Sequence, residues 1–537
     1  MGGHRDGGAA GGPDGGSTSP ADADPADEKG LGPGGRRGAA GRSGEGGRAA
    51  AAGDDDSGAE TGPAHAVEGA VDVETAPADP PLTLAAQALG ARIALGRSFR
   101  LHRLRGGFCH AGWCQQCRIA TPEGPRLACR MPAEAALPKG RRRRLHAGGL
   151  AGEALPPWFH ETVLPDAVRQ SFLEMLRRAS GAPAAPTAIP AAPMLEGVDE
   201  AIAVHTLVAG GGLSGLAAAR EIASAGRSVL LAEAELPGGR ARFDPERCGT
   251  VAPALAAARS AGVQISTDTL VAGLYDTPRR ALLTGRAGTR IVRFEELVVA
   301  TGAYDRLPAF PGNDAPGVIG GGALARLAAM DALAAGITVA LCGPASETRL
   351  ARRIAAARGL AIVHEGERVP LRASGGARPG HVTFAGGTSV AADLLVVCWR
   401  QPSYELALQA GMSVVLAGDP PVMVAQGEAL MPIRLTGGAA LVPAEGDGAA
   451  WTPDPRAIAC HCEDVRIREL DRAIADGFDE IETLKRRTGA ATGPCQGKLC
   501  HAEIAACLKH NGRPAAVPTQ RPLARPVTLA DLARRPT

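Results

Sequence analysis

The sequence predicts an α/β protein: a Rossmann-like core with a small cysteine-bearing module at each end. Three observations predict it. From Val204 to about residue 445, short runs of Val, Leu and Ala alternate with segments of helical spacing, the pattern of strands and helices taken in turn. A glycine loop, Gly210-x-Gly212-x-x-Gly215, opens that stretch. Two cysteine quartets bracket it: Cys109-x4-Cys114-x2-Cys117 with Cys129, and Cys460-x-Cys462 with Cys495-x4-Cys500.

A chain of 537 residues has room for three or four domains. Its net charge of +2 argues against a dedicated nucleic-acid surface. The one basic run, 139–144 (KGRRRR), reads as a solvated turn because nothing aromatic or amphipathic accompanies it. No apolar stretch approaches the roughly 18 to 20 residues of a membrane span. The N-terminus, MGGHRDGGAAGGPDGG, has no apolar secretory core, and Asp6 stands where a myristoylation signal needs Ser or Thr. The expectation is a cytoplasmic protein, or one peripheral at the inner membrane, with no integral segment and no nucleic-acid partner. Without a signal peptide, ligation outranks disulfide pairing for the two quartets. The remaining cysteines, Cys248, Cys342, Cys398 and Cys507, read as small core residues.

In order, residues 1–78 are Gly/Ala/Pro-rich and too poor in apolar side chains to offset their ordering entropy, so a disordered tail is expected. A cysteine module follows at 79–150, then a linker at 151–200 with one helix at 162–179 and an Ala/Pro run. The dinucleotide domain takes 201–315, a second and degenerate nucleotide-type domain 316–400, and the chain returns to the first at 401–450. A helical cysteine domain at 451–510 and a loose Pro/Arg-rich tail at 511–537 complete the expected organisation.

The glycine loop has a physical role for each glycine. Gly210 permits a tight turn, Gly212 lets a pyrophosphate approach the backbone, and Gly215 lets the helix pack on the sheet with its N-terminal amides toward the phosphate. Glu233 ends the next strand, where a carboxylate accepts ribose hydroxyls and disfavours a 2′-phosphate. Two further stretches resemble the two-dinucleotide-domain flavoproteins: Pro237-Gly238-Gly239-Arg240, and Ala300-Thr301-Gly302 at the end of a buried strand. That resemblance implies FAD and adds Gly239, Arg240, Thr301 and Gly302 as cofactor-binding residues. Two positions depart from its pattern. The second loop offers Leu341, Gly343 and Ser346, and Leu341 is expected to push the backbone away from a pyrophosphate. Gly438 stands where those flavoproteins place an Asp, which leaves room for another adenine nucleotide.

The first quartet, Cys109, Cys114, Cys117 and Cys129, has the plant-type ferredoxin spacing, with Gly106, Gly107 and Gly112 to turn the loop around inorganic sulfide. His110 reads as an exposed loop residue. The second, Cys460, Cys462, Cys495 and Cys500, resembles the bacterioferritin-associated-ferredoxin type of [2Fe–2S] domain. Zinc is the rival at both sites. Lys485, Arg486 and Arg487 read either as a solvated helix face or as a partner's docking site.

Taken together, RGGFCHAGWCQQCRI, VAGGGLSGLAAA, ATGAYDRLPAFPGNDAPGV and CHCEDV…LKRRTGAATGPCQGKLC resemble one family. It comprises the iron–sulfur flavoprotein electron-transfer subunits of hydrogen cyanide synthase, opine oxidase and D-hydroxyproline dehydrogenase, related to the N-terminal part of the sarcosine oxidase alpha subunit. The resemblance implies a two-dinucleotide-domain flavoprotein fold flanked by a β-grasp ferredoxin-like module and a small helical [2Fe–2S] domain. It also implies two [2Fe–2S] clusters, and a hetero-oligomer with an FAD-dependent D-amino-acid-oxidase-type catalytic subunit that oxidises a C–N bond and a quinone or similar acceptor. The sarcosine oxidase folate-binding region is not expected, since the sequence stops first. The alternatives are a stand-alone NAD(P)H-dependent reductase and a non-catalytic redox sensor or scaffold.

Overall fold

The computed structural model describes residues 81–98, 100–101, 103–121, 124–134, 202–276, 279–376, 378–441 and 453–534. The expected N-terminal tail, the basic run, the helix at 162–179 and the Ala/Pro linker lie outside the described residues. The first module opens with α1 (Leu84–Gly90), capped where Thr83 Oγ1 accepts the Ala86 N–H. Two short antiparallel pairs follow: β1 (Gly96–Arg97) with β2 (Leu104–Arg105), and β3 (Arg118–Thr121) with β4 (Gly124–Leu127). The first cysteine loop lies between them.

The core sheet runs through β5 (Ile202–Ala209), α2 (Leu213–Ser224), β6 (Val229–Ala232), α3 (Val251–Ser260) and β7 (Gln264–Ser266). It then turns into a meander of β8 (Thr269–Asp276), β9 (Arg279–Gly285) and β10 (Gly288–Val299). Its order is β7-β6-β5-β10-β9-β8, with β5, β6, β7 and β10 parallel and the meander antiparallel. All four residues of β6 are buried, as expected where helices cover both faces of a parallel sheet. The helix α2 buries Gly215, Leu216, Ala218 and Ala219, and these small side chains bring it close to the strands.

A hairpin-like strand, β11 (Ala303–Arg306), leads to the second α/β unit. This is built from β12 (Val318–Gly320), α4 (Gly321–Ala329), β13 (Thr338–Cys342), α5 (Ala345–Arg358) and β14 (Ala361–Gly366). A small three-stranded sheet, β15–β17 (Arg372–Ser374, Gly380–Thr383, Ser389–Ala392), precedes β18 (Leu394–Val397), giving a parallel order β12-β18-β13-β14. The chain returns by β19 (Trp399–Pro402), paired with β11, then α6 (Glu405–Gln409) and the hairpin β20–β21 (Ser413–Ala417, Val422–Gln426). The last strand of this return, β22 (Ile433–Leu435), rejoins the first sheet beside β10. The expected α/β class holds. The fully buried Leu341 sits inside β13, opposite Glu365 and Val396, so its side chain fills the core of the second sheet and does not obstruct the loop.

The C-terminal region contains the short pair β23 (Ile458–Cys460) and β24 (Val465–Arg466), then α7 (Ile467–Ala475), α8 (Ile481–Thr488) and α9 (His501–His510). The tail beyond it is not loose. Ala524 N–H donates to Ala272 O at 2.6 Å, Thr289 N–H donates to Arg534 O at 2.8 Å, and Asp531 O accepts from Thr289 Oγ1 at 2.9 Å. Its backbone groups strap it across the meander, a bond pattern that composition does not reveal.

Buried ions tie the modules together. Arg105 of the first module lies between Asp314, at 3.0 Å, and Asp464 of the C-terminal region. Arg306 meets Glu503 of α9 at 2.5 Å, both nearly sealed from solvent. Such pairs fix how parts dock, since removing one partner strands a buried charge at about 3–5 kcal/mol. Among the described residues no helix is long and apolar enough to cross a membrane.

Candidate functional site

The strand β5 delivers the glycine loop at its carboxyl end, and Gly212 is the N-cap of α2. Gly210 has φ +110°, and a Cβ there would run into the Ala300 carbonyl. At Gly215 a Cβ would run into the Gly210 carbonyl, whereas at Gly212 it would meet open space. The first turn of α2 has no acidic residue, so its free amides face the opening unneutralised. Glu233, just past β6, accepts the Gly211 N–H at 2.6 Å and the Glu235 N–H at 2.8 Å. Burial raises its pKa, and those two amides pull the other way. Gly238 donates to Gly211 O at 2.8 Å, which lays the following Gly239 against Gly212.

Together these elements wall a cavity of about 720 Å³. Gly210, Gly212, Glu233, Gly239, Arg240, Thr301 and Gly302 all line it, while Gly215 lies behind, against the strand. The Thr301 hydroxyl is buried without a hydrogen-bond partner, the state expected of a group that serves a ligand. Arg240 is engaged already: its guanidinium donates to Glu347 of α5 at 2.7 Å. Gly437 and Gly438 form the opposite wall, and a Cβ on Gly438 would stand 2.9 Å from Ala303 N, so this turn approaches closely because it carries no side chain. Two further cavity residues, Arg326 of α4 and Arg525 of the tail, belong to no motif and carry no signal in the sequence. Arg326 and Arg130 clamp Glu235 at 2.9 and 2.8 Å. Burial works against ionising Glu235, but the two guanidinium groups outweigh it and hold its pKa at about 2.

The first cysteine loop reaches this cavity with Cys109, Ala111 and Trp113. Its four cysteines are buried and converge in pairs: Cys109 with Cys114, and Cys117 with Cys129. Ala111 and Cys114 N–H groups point at Cys109 Sγ at 3.3 and 3.4 Å. Burial opposes the Cys109 thiolate, yet Cys114 and the loop amides bring its pKa down to about 7. Gly112 turns the loop at φ +78°, where a Cβ would meet the Arg130 side chain at 2.7 Å. His110 is buried rather than exposed, its ring lying against Gly107. Burial lowers its pKa to about 4.

The second quartet pairs likewise, Cys462 with Cys495 and Cys460 with Cys500. Contact with Cys462 is the main reason that Cys495 falls to about 6. Gly497, at φ +80°, leaves room for the His501 ring at the start of α9. Lys498 extends from this loop into the cavity wall, 3.2 Å from Glu405. A run of rings links the two loops along that wall. Trp113 lies 5.0 Å from Tyr304, and the Tyr404 hydroxyl is 2.7 Å from His501 Nδ1.

Among the described residues no three His, Cys, Asp or Glu side chains gather on one ion-sized point. All-thiol quartets standing two by two suit a cluster in which each iron takes two cysteines, so the donor sets fit [2Fe–2S]. Of the other cysteines, Cys342, Cys398 and Cys507 are buried as expected, and Cys248 is exposed. Arg486 and Arg487 are exposed on α8, and Lys485 lies 3.6 Å from Glu482.

Known proteins match the same regions. Residues 67–137 match the 2Fe-2S iron-sulfur cluster binding domain, and residues 454–535 match the sarcosine oxidase A3 domain. The solved L-proline dehydrogenase from P. horikoshii superposes with a TM-score of 0.59 at 18% identity, covering 84% of this chain and 94% of that one, which shows a shared fold. These findings define an iron–sulfur oxidoreductase subunit on a flavoprotein-type dinucleotide fold. The chain is a homologue of the HcnB subunits of hydrogen cyanide synthase and of the matching subunits of opine oxidase. It is 27% identical to Pseudomonas aeruginosa HcnB over 428 residues, covering 55% of this chain and 91% of the relative. It is 40% identical to an opine oxidase subunit of Agrobacterium tumefaciens over 88 residues, 15% of this chain. That match spans only 17% of the opine oxidase protein, and one to Pseudomonas protegens HcnB, 31% identical, spans 14% of that protein and 13% of this chain.

Proposed function

We propose that this chain is the electron-transfer subunit of a multi-subunit dehydrogenase or oxidase acting on a C–N bond of an amino acid or amine. It takes electrons from a partner FAD-dependent subunit of D-amino-acid-oxidase type and passes them to a quinone or similar acceptor. One observation carries this reading: a single cavity is walled by the glycine loop, by Cys109 and Trp113 of one cysteine loop, and by Lys498 of the other. FAD and two [2Fe–2S] clusters, when bound, supply the redox chemistry. The chain's own residues hold them. Gly210, Gly212 and Gly215 admit the pyrophosphate to the amides of α2, Glu233 receives the ribose, and Thr301 and Gly302 line the flavin side. Arg240 keeps Glu347 against the rim. Cys109, Cys114, Cys117 and Cys129 ligate one cluster, and Cys460, Cys462, Cys495 and Cys500 the other. The relatives are themselves subunits, of a synthase and of an oxidase, which supports a hetero-oligomer.

Co-expression with the product of the neighbouring gene tests the proposal. Iron, sulfide and flavin are quantified anaerobically, and D-amino acids, imino acids and opines are screened with a dye acceptor. Turnover that requires both chains is expected. Zinc in place of iron, or reduction of this chain by NADH alone, defeats the proposal.

The wall at Gly437 and Gly438 favours a second reading, because it offers no carboxylate to a flavin's ribityl-phosphate portion. On that reading the cavity holds an adenine nucleotide without flavin. Acid extraction and chromatography of the released nucleotide separate the two.

A further inference from the structure

In sequence the dinucleotide domain separates the two cysteine quartets; in space the quartets meet. Gln116, between Cys114 and Cys117, points its side-chain NH₂ two ways. Nε2 donates to the Cys114 carbonyl at 3.1 Å and to Cys462 Sγ at 3.7 Å. A primary amide carries two N–H bonds, so one nitrogen makes both contacts. Behind it, Cys109, Trp113 and Cys114 share a buried apolar cluster with Cys495 and Leu499, and Cys462 packs against that cluster. Arg118, next to Cys117, lies within electrostatic reach of both Cys117 and Cys462. Among the described hydrogen bonds, Gln116 makes the only one from a side chain in one cysteine loop to a cysteine sulfur of the other.

We propose that Gln116 couples the two cysteine sites: it links the backbone of one ligand loop to a sulfur of the other, forming a one-electron path that bypasses the nucleotide cavity. This rests on the reading of both quartets as [2Fe–2S] sites. One electron leaves one site and enters the other; no covalent bond forms or breaks, and no proton moves. The same hydrogen bond tunes the second site. An N–H aimed at a ligand sulfur stabilises the extra negative charge of the reduced state, so it raises the reduction potential there. The first site receives no such help from Gln116, which touches only the Cys114 carbonyl.

The test uses the full chain, purified anaerobically, with iron and sulfide counted first. The two midpoints are then followed by paramagnetic resonance during redox titration, and Cys129→Ser and Cys500→Ser assign each signal to its site. Gln116→Leu is expected to lower the C-terminal site's midpoint by about 59 mV, a tenfold change in a one-electron equilibrium constant. The N-terminal midpoint is expected to stay in place while the magnetic broadening between the two signals weakens. Gln116→Glu keeps the length but replaces the donor with an acceptor, so it is expected to move the same midpoint the same way. Two clusters whose midpoints neither variant shifts overturn the coupling alone. A shift with leucine but not with glutamate also overturns it, since packing and not the hydrogen bond is then responsible. A wild-type chain holding fewer than two clusters removes the two-site reading, and this inference with it.

Discussion

The two strand–turn–helix units repeat one design with opposite outcomes. In the first, β5 runs through three glycines into α2, whose first turn has no acidic side chain and opens on the cavity. In the second, β13 runs through Gly343 into α5, whose N-terminus is already served by the protein's own acids. Glu367 accepts the Ala345 N–H at 3.1 Å, and Glu347 stands in the first turn, paired with Arg240. A helix N-terminus attracts an anion wherever it is exposed. What decides between a ligand and a carboxylate is which anion the neighbouring chain supplies. The sequence located the difference at Leu341, but that residue is core; the exclusion comes from Glu347 and Glu367.

The largest expected effect comes from adding a side chain at the third loop position. Gly215→Val drives a Cβ into the Gly210 carbonyl, so nucleotide content should fall at least tenfold on purification, with about 1–3 kcal/mol lost from overpacking. Ser346→Val, at the matching position of the second loop, alters an exposed residue and should leave nucleotide content unchanged. Equal losses in both variants would erase the distinction between the loops. Released nucleotide per chain and chemical denaturation are the measurements.

Acid comes next. Glu235 closes the first loop's rim between Arg130 and Arg326, and Asp314 anchors the first module through Arg105 and Arg103. Burial alone would raise both carboxyl groups, but the arginines hold each at about 2. A folded pKa depressed below the unfolded one contributes stability that is complete above about pH 4.5 and is lost as the pH falls toward 2, on the order of 2 kcal/mol per group. Denaturation midpoints measured between pH 7 and pH 2.5 should therefore drop below about pH 4.5. Arg326→Met should flatten that limb, whereas Arg352→Met on α5 should not.

The fold class and both cysteine sites were legible because their signals are local: alternating apolar runs, a glycine loop and fixed cysteine spacings. The docking was not. Arg105 finds Asp314 and Asp464, and Arg306 finds Glu503, across separations that no periodicity marks. The strapping tail makes its key bonds with backbone groups, which every residue carries, so its Pro/Arg-rich composition misled. His110 is polar and follows a ligand cysteine, yet the loop folds its ring inward onto Gly107. Side-chain identity announces chemistry, whereas placement depends on partners distant in sequence.

The smallest effect is the most pointed, because it asks whether the second helix terminus is closed only by charge. Glu347→Gln removes the carboxylate but keeps the size, which frees Arg240 and leaves the first turn of α5 without its acid. Loss of a first-turn acid costs about 0.3–1 kcal/mol, and the partly exposed ion pair adds little. Arg240 lines the cavity, so its released charge is also expected to favour an anion there. The variant should melt slightly lower than wild type without phosphate and recover the difference when inorganic phosphate is added. A phosphate response no larger than that of the wild-type chain would mean that backbone shape, not the resident glutamate, keeps the second loop empty.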